Sequence, residues 1–265
     1  MDYLFAQFNK IKERLHNKSI LLLLDYDGTL TPIVETPEKA VISKKTKELL
    51  QKLSRGSHCT VGIISGRSLE DIKNTVGIKG IIYAGNHGLE IKGPKIKFES
   101  PVSSRLKSVI RYINEELARQ LSGIKGVLIE DKGLTLSIHY RLVDKKDMPW
   151  FERIFSEITN PYAVSGKIKI NSGKKLYEIK PPVQWDKGKA VLWLLARQQF
   201  VSGENKVLPV YIGDDVTDED AFKALKGKGL TIFVGEQENS AADYYLKDAE
   251  EVNRFLHLIL NLKDT

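Results

Sequence analysis

Short apolar runs alternate with amphipathic segments along the chain. Three runs near the start, "SILLLLD" (19–25), "CTVGIIS" (59–65) and "GIIYAG" (80–85), are apolar on both faces, as expected for strands buried inside a sheet. The segments between them, "SKKTKELLQKLSR" and "SLEDIKNTV", begin with serine caps and have helical spacing. Strands that alternate with helices predict a parallel sheet with right-handed crossovers.

The same alternation returns late in the chain. After a helix "KGKAVLWLLARQQF" (187–200), strands are predicted at 207–214 and 230–235, with a helix at 218–225 between them. A last amphipathic helix is predicted at about 249–262. The parallel sheet should therefore draw its strands from both ends of the chain.

The middle of the chain has a different pattern. A hairpin at "GLEIKGPKIKFES" and a helix "SSRLKSVIRYINEELARQL" precede strands "GVLIEDK" and "LTLSIHYR". A second helix, "MPWFERIFSEI", then precedes strands "KIKIN" and "KLYEIK". Since helix–strand–strand occurs twice, we expect a half-exposed antiparallel sheet covered by two helices. The predicted fold is α/β: a Rossmann-like parallel-sheet core of residues 1–100 and 183–265, with an inserted α/β domain of residues 101–182.

The amino-acid composition is that of an ordinary globular protein and does not by itself indicate a function. The chain has 265 residues, 42% hydrophobic and 28% charged, and no window with the roughly 18 uncharged apolar residues of a membrane span. Its first 16 residues predict an amphipathic helix, not a signal peptide, which either docks on the core or mediates association. The single cysteine, Cys59, is predicted to be a buried small side chain. We expect a cytoplasmic protein without a membrane partner.

The formal net charge of +7 raises the question of nucleic-acid binding. The lysines are scattered, however, and no arginine-rich run or basic–aromatic interleaving accompanies them. A basic cleft suits an anionic small molecule equally well. We therefore expect a small-molecule partner and no nucleic acid.

Polar clusters follow four of the predicted parallel strands. Each cluster alone is typical of a turn or a helix cap. Ligands of open parallel sheets bind beyond the carboxyl ends of the strands, so four such clusters at one edge indicate a site. The clusters are Asp25-Tyr26-Asp27-Gly28-Thr29, Ser65-Gly66-Arg67, Gly85-Asn86-His87-Gly88 and Gly213-Asp214-Asp215-Val216-Thr217-Asp218.

Phosphoryl transfer fits these residue types. Carboxylates of Asp25, Asp214 and Asp218, with a backbone carbonyl near Asp27, are hard oxygen ligands suited to Mg²⁺. A cation would also explain why neighbouring carboxylates tolerate one another. Asp25 is then the candidate nucleophile, forming an aspartyl-phosphate. Asp27 is the candidate general acid and base.

A phosphoryl group also needs donors for its equatorial oxygens. Candidates are the backbone N–H groups around Gly28, the hydroxyl of Ser65 and a lysine. We assign the lysine to Lys187 in "WDKGKA", where the alternative is a solvated lysine at a helix start.

These motifs resemble the four motifs of the haloacid dehalogenase superfamily of phosphatases. "LDYDGTL", the strand end at Ser65, Lys187 and "GDDVTDED" match them in order, and the resemblance spans the whole chain. It implies a haloacid dehalogenase core with a type-2 cap inserted between the second and third motifs. It also implies metal ligation at Asp25, Asp27 and Asp214, with Asp215 or Asp218 assisting.

A narrower resemblance is to the trehalose-6-phosphate phosphatase family. It rests on "ISGR", "GNHGLE", "IEDKGLTLSIHYR", "GKKLYEIKP" and "WDKGKA"; Lys180 departs from it, standing where an arginine is expected. By this resemblance, polar residues of the core and cap hold the sugar. They are Arg67, Asn86, His87 and Glu90 of the core and Glu130, Lys132, His139, Arg141, Lys174 and Glu178 of the cap.

The sequence therefore predicts a Mg²⁺-dependent phosphatase that hydrolyses trehalose 6-phosphate. It is expected to act as a monomer, with a trehalose-6-phosphate synthase as a candidate protein partner. Three alternatives stay open: another substrate (sucrose 6-phosphate, or a glucosylglycerol or mannosylglycerate phosphate), a phosphotransferase or mutase, and a non-catalytic regulator that binds sugar phosphates. The presence of both Asp25 and Asp27 argues against the last.

Overall fold

The chain divides into two compact units. The computed structural model describes residues 1–34, 37–173, 175–203, 207–236 and 239–262. The first unit comprises Met1–Glu99 with Trp185–Thr265, and the second comprises Ser100–Gln184. The chain thus leaves the first unit once, builds the second, and returns.

Apart from two short strands at residues 2–3 and 244–246, which the hydrophobic pattern does not predict, strands and helices follow one another in the predicted order. Among the described residues the strands are β1 (Asp2–Tyr3), β2 (Ser19–Leu24), β3 (Cys59–Ile64), β4 (Ile82–Gly85), β5 (Glu90–Gly93), β6 (Ile96–Glu99), β7 (Leu128–Asp131), β8 (Leu136–His139), β9 (Lys169–Gly173), β10 (Leu176–Lys180), β11 (Val207–Gly213), β12 (Leu230–Val234) and β13 (Tyr244–Leu246). The α-helices are α1 (Phe8–Leu15), α2 (Lys44–Arg55), α3 (Leu69–Val76), α4 (Ser104–Leu121), α5 (Met148–Val164), α6 (Lys187–Ser202), α7 (Glu219–Leu225) and α8 (Ala249–Asn261).

The first unit is built on one large sheet. Its strand order in the described residues is β1-β13-β12-β11-β2-β3-β4-β5-β6. All pairings are parallel except those of β5, which runs antiparallel to both β4 and β6. The predicted hairpin therefore extends the parallel sheet at one edge. Strands β2, β3 and β11 carry predicted site residues at their carboxyl ends, and β2 lies between the other two.

The central strand β2 is apolar on both faces, as predicted. Leu22 and Leu24 enter the hydrophobic cluster on one side of the sheet, whereas Leu21 and Leu23 enter the cluster on the other. Burial on both sides explains why every position from Ile20 to Leu24 is apolar. Cys59 of β3 is also buried, in agreement with its predicted structural role.

Side-chain caps fix where several helices begin. Ser43 accepts from the N–H of Thr46 before α2, and Ser68 accepts from the N–H of Asp71 before α3. The serine caps predicted for these helices are thus present. Asp186 caps α6 by accepting from the N–H of Lys189, so the helix starts at Lys187. No helix in the described ranges is both long enough and apolar enough to cross a membrane.

The N-terminal segment differs from the predicted single helix. Asp2 and Tyr3 form β1 beside β13, a 3₁₀ turn covers Leu4–Gln7, and the helix α1 is confined to Phe8–Leu15. Strand pairing with β13, which the periodicity does not reveal, competes with helix formation over the first residues. Leu4, Ile11 and Leu15 are buried in the core, so the segment docks on its own unit.

The second unit has a four-stranded antiparallel sheet in the order β7-β8-β10-β9. Its core joins residues of α4 and α5 to Leu136 and Ile138 of β8. The predicted polar face is less exposed than expected, because Thr135 and Ser137 are buried. Ser137 lies in register between Glu130 and Glu178, whose longer side chains flank it.

We predict that Leu4→Ala lowers the free energy of unfolding by about 3 kcal/mol, because a fully buried leucine leaves a cavity. Leu142→Ala is the matched control, since the Leu142 side chain is 78% exposed and its loss should cost under about 0.5 kcal/mol. Urea unfolding followed by circular dichroism measures both. Equal costs would contradict the docking of the N-terminal segment.

Candidate active site

A buried lysine joins two carboxylates at the carboxyl edge of the large sheet. Lys187 Nζ lies 2.7 Å from Asp25 Oδ1 and 2.7 Å from Asp218 Oδ1. The Lys187 side chain is only 3% exposed. The alternative of a solvated lysine at a helix start is therefore wrong.

The backbone places these three groups. Asp25 directly follows β2, and its N–H donates to the carbonyl of Ile212 on the neighbouring β11 at 2.9 Å. Asp218 ends the 3₁₀ turn that follows β11. A Cβ on Gly213 would overlap the Asp218 carboxylate, so glycine at this position allows the turn to fold back against the strand.

A third carboxylate, that of Asp214, completes the cluster. Oxygen atoms of Asp25, Asp214 and Asp218 lie within 4.8 Å of one another. Asp214 Oδ1 accepts from the Thr29 hydroxyl at 2.8 Å. Gly28, with φ +89°, passes so close that an added Cβ would overlap Asp214. Gly28 and Thr29 of the first motif thus fix the position of the Asp214 side chain in the fourth motif.

Three carboxylates against one ammonium leave two negative charges uncompensated. Burial and the neighbouring carboxylates raise the pKa of Asp25 well above its usual range, although Lys187 opposes this. Burial raises the pKa of Asp214 to about 7, against the hydrogen bond from Thr29. Burial alone would lower the pKa of Lys187, but Asp218 and Asp25 outweigh it and raise it.

This excess of negative charge fits a divalent cation. The raised pKa values of Asp25 and Asp214 mean that these carboxylates are more stable when a positive charge is added. A bound cation would supply this charge in place of a proton. The oxygen donor set of Asp25 and Asp214 suits a hard metal ion. The structure therefore supports a divalent metal site at the end of β2 and β11.

Tyr211 belongs to the same cluster and was not predicted. It is fully buried on β11 and donates to Asp218 Oδ1 at 2.6 Å. Burial and the charge of Asp218 raise the pKa of Tyr211 well above its usual value, which keeps the hydroxyl protonated. The one hint in the sequence is a phenol inside the otherwise apolar strand "VLPVYIG".

Asp215 takes a different position from the other acidic residues of its motif. Its side chain is exposed and accepts from the N–H of Val216 at 2.7 Å, capping the 3₁₀ turn. The group of carboxylates close enough to share an ion contains Asp214 and Asp218 but not Asp215. As a metal ligand, Asp215 stays a prediction.

Asp27 is paired with Arg67 through two hydrogen bonds. Arg67 Nε donates to Asp27 Oδ2 at 2.8 Å and Arg67 Nη2 donates to Asp27 Oδ1 at 2.7 Å. Arg67 Nη1 donates to Asp71 at 3.0 Å. The guanidinium also lies over the Tyr26 ring, 5.2 Å from its centroid. Although burial lowers the pKa of Arg67, the two carboxylates outweigh it and raise it.

Asp71 is a second residue that sequence reasoning missed. It stands at i+4 from Arg67 on α3 and also accepts from the Thr75 hydroxyl at 3.2 Å. Its N–H is the one capped by Ser68, so one short motif, "SLED", sets both the helix start and the arginine contact.

Two loops meet beside these groups. Ser65 is buried after β3, and its hydroxyl accepts from the N–H of Arg67 at 3.1 Å. The N–H of Asn86 donates to the Arg67 carbonyl, and the N–H of His87 donates to the Ser65 carbonyl. The loops after β3 and β4 are thereby fastened to each other.

The loop after β4 has an unusual backbone. Asn86, His87 and Gly88 all have positive φ, at 50°, 56° and 93°. Glycine tolerates this conformation, whereas histidine does so only under constraint. The Trp185 indole supplies one constraint, donating to the Gly88 carbonyl at 2.7 Å. Asn86 Nδ2 donates to Glu90 at 2.8 Å, which brings two of the predicted sugar-binding residues together.

In the second unit, several predicted sugar-binding residues also gather. Glu130 Oε2 lies 3.4 Å from His139 Nε2 and 3.7 Å from Lys132 Nζ. Glu178 pairs with Lys180 at 2.7 Å. Arg141 is exposed just beyond β8. Lys174 lies outside the described residues.

Comparison with known proteins identifies the family of this chain. The profile of the trehalose-phosphatase family matches residues 23–250. The probable trehalose-phosphate phosphatase D of Arabidopsis thaliana is 36% identical, over 97% of this chain and 72% of the relative. The trehalose 6-phosphate phosphatase RA3 of Zea mays is 35% identical, over 97% of this chain and 74% of the relative.

Solved structures show the same fold. The C-terminal domain of the C. albicans trehalose-6-phosphate phosphatase has a TM-score of 0.76 and 26% identity, covering 95% of this chain and 97% of that one. A haloacid dehalogenase-like hydrolase from Bacteroides thetaiotaomicron has a TM-score of 0.64 and 20% identity, covering 91% of this chain and all of that one. The predicted fold class is confirmed, and the chain belongs to the trehalose-phosphatase family.

Proposed function

We propose that this chain hydrolyses trehalose 6-phosphate to trehalose and inorganic phosphate, with Mg²⁺ as its cation. The observation that carries the proposal is the buried Lys187, bound to Asp25 and Asp218 at 2.7 Å beside the third carboxylate of Asp214. Membership of the trehalose-phosphatase family supports the substrate. The catalytic roles below are inferred from the geometry of the individual residues.

Asp25 is the proposed nucleophile. Lys187 holds Asp25 Oδ1, and the described residues offer no other donor to this carboxylate. Its second oxygen can therefore attack phosphorus, forming a bond to Asp25 while the bond to the sugar oxygen breaks. Asp25 and Asp214 would hold the cation, which when bound neutralises charge on the phosphoryl oxygens.

Asp27 is the proposed acid and base, and its pairing with Arg67 fits the second of these roles. Both oxygens of the Asp27 carboxylate accept hydrogen bonds from Arg67. In this state Asp27 is ready to take a proton from the water that attacks the aspartyl-phosphate. The proton that Asp27 takes from this water is the one it gives to the leaving sugar oxygen in the next turnover, after the protonated carboxyl has left Arg67.

Arg67 is better placed to orient Asp27 than to bind sugar. Three of its donors contact Asp27 and Asp71. The phosphoryl oxygens are assigned instead to the N–H groups around Gly28, the Ser65 hydroxyl and Lys187.

The sugar is assigned to the polar residues Asn86, His87 and Glu90 of the first unit and to a group in the second. Carboxylates, imidazole and ammonium groups together offer donors and acceptors for several hydroxyls. The second group is Glu130, Lys132, His139, Arg141, Lys174 and Glu178. A cytoplasmic location, a monomeric state and association with a trehalose-6-phosphate synthase stay predictions from the sequence.

We predict that the purified chain with Mg²⁺ releases phosphate from trehalose 6-phosphate with a kcat/KM about 100-fold above that for sucrose 6-phosphate or mannosylglycerate phosphate. A colorimetric phosphate assay measures this, with EDTA-treated enzyme as the metal-free arm. Asp25→Asn should lower the rate by about 10⁴-fold or more, since it removes the nucleophile. Efficient turnover of another sugar phosphate, with none of trehalose 6-phosphate, would refute the substrate.

We predict that Mg²⁺ stabilises the protein more at pH 8 than at pH 5. Without a cation, the folded-state pKa of Asp214 is raised from 3.8 to about 7. Between those values the folded state binds more protons than the unfolded state, so stability falls as pH rises. At pH 8 Asp214 has lost its proton, and a bound cation compensates its negative charge and restores stability.

Thermal unfolding with and without 5 mM Mg²⁺ measures the effect. The expected rise in Tm is roughly 5 °C at pH 8 and under about 2 °C at pH 5. Asp214→Asn is the control and should abolish most of the difference between the two pH values. An equal rise at both pH values in the unmodified protein would contradict the assignment of Asp214.

We predict that Gly28→Ala weakens Mn²⁺ binding and lowers phosphatase activity by about 100-fold or more, because the added Cβ displaces Asp214. Gly80→Ala is the matched control: Gly80 has nearly the same φ, +86°, but nothing within 4 Å of the added Cβ. Both variants place an alanine at nearly the same positive φ, which L side chains rarely adopt. Calorimetry measures the Mn²⁺ affinity of each variant, and the phosphate assay measures its activity. Equal losses in the two variants would show that backbone strain, and not displacement of Asp214, causes the effect.

A further inference from the structure

The Asp218 carboxylate is surrounded by four donors. Its Oδ1 accepts from Lys187 Nζ at 2.7 Å and from the Tyr211 hydroxyl at 2.6 Å. Its Oδ2 accepts from the N–H groups of Asp214 and Asp215 at 3.1 and 3.0 Å. A carboxylate has about four lone-pair positions, so these contacts use them all.

Asp214 is in a different situation. Its Oδ1 accepts from the Thr29 hydroxyl, and no donor to its Oδ2 is found among the described residues. Of these two carboxylates after β11, Asp214 therefore has coordination capacity to offer a cation, and Asp218 does not. Asp218 instead contacts Lys187 through Oδ1 and the backbone of Asp214 through Oδ2.

We propose that Tyr211 is a positioning residue that keeps Asp218 turned toward Lys187, and that Asp218 acts by holding this lysine against Asp25 rather than as a metal ligand. The proposal rests on the proposed function, in which Lys187 orients the nucleophile. It adds Tyr211 to the residues on which the reaction depends.

The surroundings of Tyr211 fix its hydroxyl. The residue is fully buried on β11, between β2 and β12, and its ring packs edge to face on Phe222 with centroids 5.7 Å apart. A buried hydroxyl needs a partner, and Asp218 is the partner it has. Without the hydroxyl, Asp218 Oδ1 keeps only the lysine contact, and the side chain loses one of its four hydrogen bonds.

Tyr211→Phe tests the proposal, with Tyr83→Phe as a matched control. Tyr83 is also buried, and its hydroxyl makes two hydrogen bonds, of 2.8 and 2.9 Å, to the backbone of Ile78, outside the carboxylate cluster. Both changes keep the ring and remove one hydroxyl, so both proteins should fold, which thermal unfolding verifies. Steady-state kinetics with trehalose 6-phosphate and with p-nitrophenyl phosphate, and calorimetry of Mn²⁺ binding, are measured for each.

The expected result is a loss of about tenfold in kcat for Tyr211→Phe, with KM and the Mn²⁺ Kd within about twofold of the unmodified protein. Tyr83→Phe should leave kcat within about twofold, whatever its effect on Tm. Equal kcat values for the two variants would overturn the proposal. So would a loss of Mn²⁺ affinity in step with kcat, since Tyr211 would then act through the cation.

A second pair of variants tests the role of Asp218 directly. Asp214→Asn should weaken Mn²⁺ binding at least about tenfold more than Asp218→Asn does, because only Asp214 is a ligand. The reverse order would overturn the proposal. If the unmodified chain hydrolyses p-nitrophenyl phosphate but not trehalose 6-phosphate, the substrate assignment fails while the role of Tyr211 is still measured.

Discussion

The ammonium of Lys187, buried between Asp25 and Asp218, is the contact on which the site depends. A buried charge is tolerated only when it is paired and hydrogen-bonded, so the lysine and its partners have to be placed together. Each comes from a different part of the chain: the end of β2, the turn after β11 and the first residue of α6. The sheet therefore has to bring together residues 162 positions apart in sequence.

Charge is distributed unevenly between the two halves of the site. Around Lys187, negative charge is in excess, which suits a divalent cation. Around Arg67, one guanidinium faces two carboxylates, and both oxygens of Asp27 accept hydrogen bonds from it. Asp25 and Asp27, the proposed nucleophile and the proposed acid–base group, are thus two residues apart in sequence but have different neighbours. This separation allows one to attack while the other exchanges a proton.

The sequence predicted the architecture well, because burial on both faces and helical spacing are local properties. The double-sided apolar run of β2 and the serine caps of α2 and α3 are examples. It failed where pairing decides the structure, as for β13 and the first residues of the chain, since a partner strand leaves no periodic trace. The acidic residues were recognised by motif, whereas Tyr211 and Asp71 act through contacts that only the fold creates.

The short strand at the N-terminus has a consequence for how the protein stays dispersed. Asp2 and Tyr3 pair with Tyr244 and Tyr245, which would otherwise form the outer strand on that side of the large sheet. An unpaired edge bearing two tyrosines is a template for another chain. At the opposite edge, β6 alternates partly buried Ile96 and Phe98 with exposed Lys97 and Glu99, whose charges discourage such pairing. One edge of the sheet is thus covered by the N-terminal strand, and the other is protected by charged side chains. Loss of the first few residues is therefore expected to lower solubility before it lowers activity.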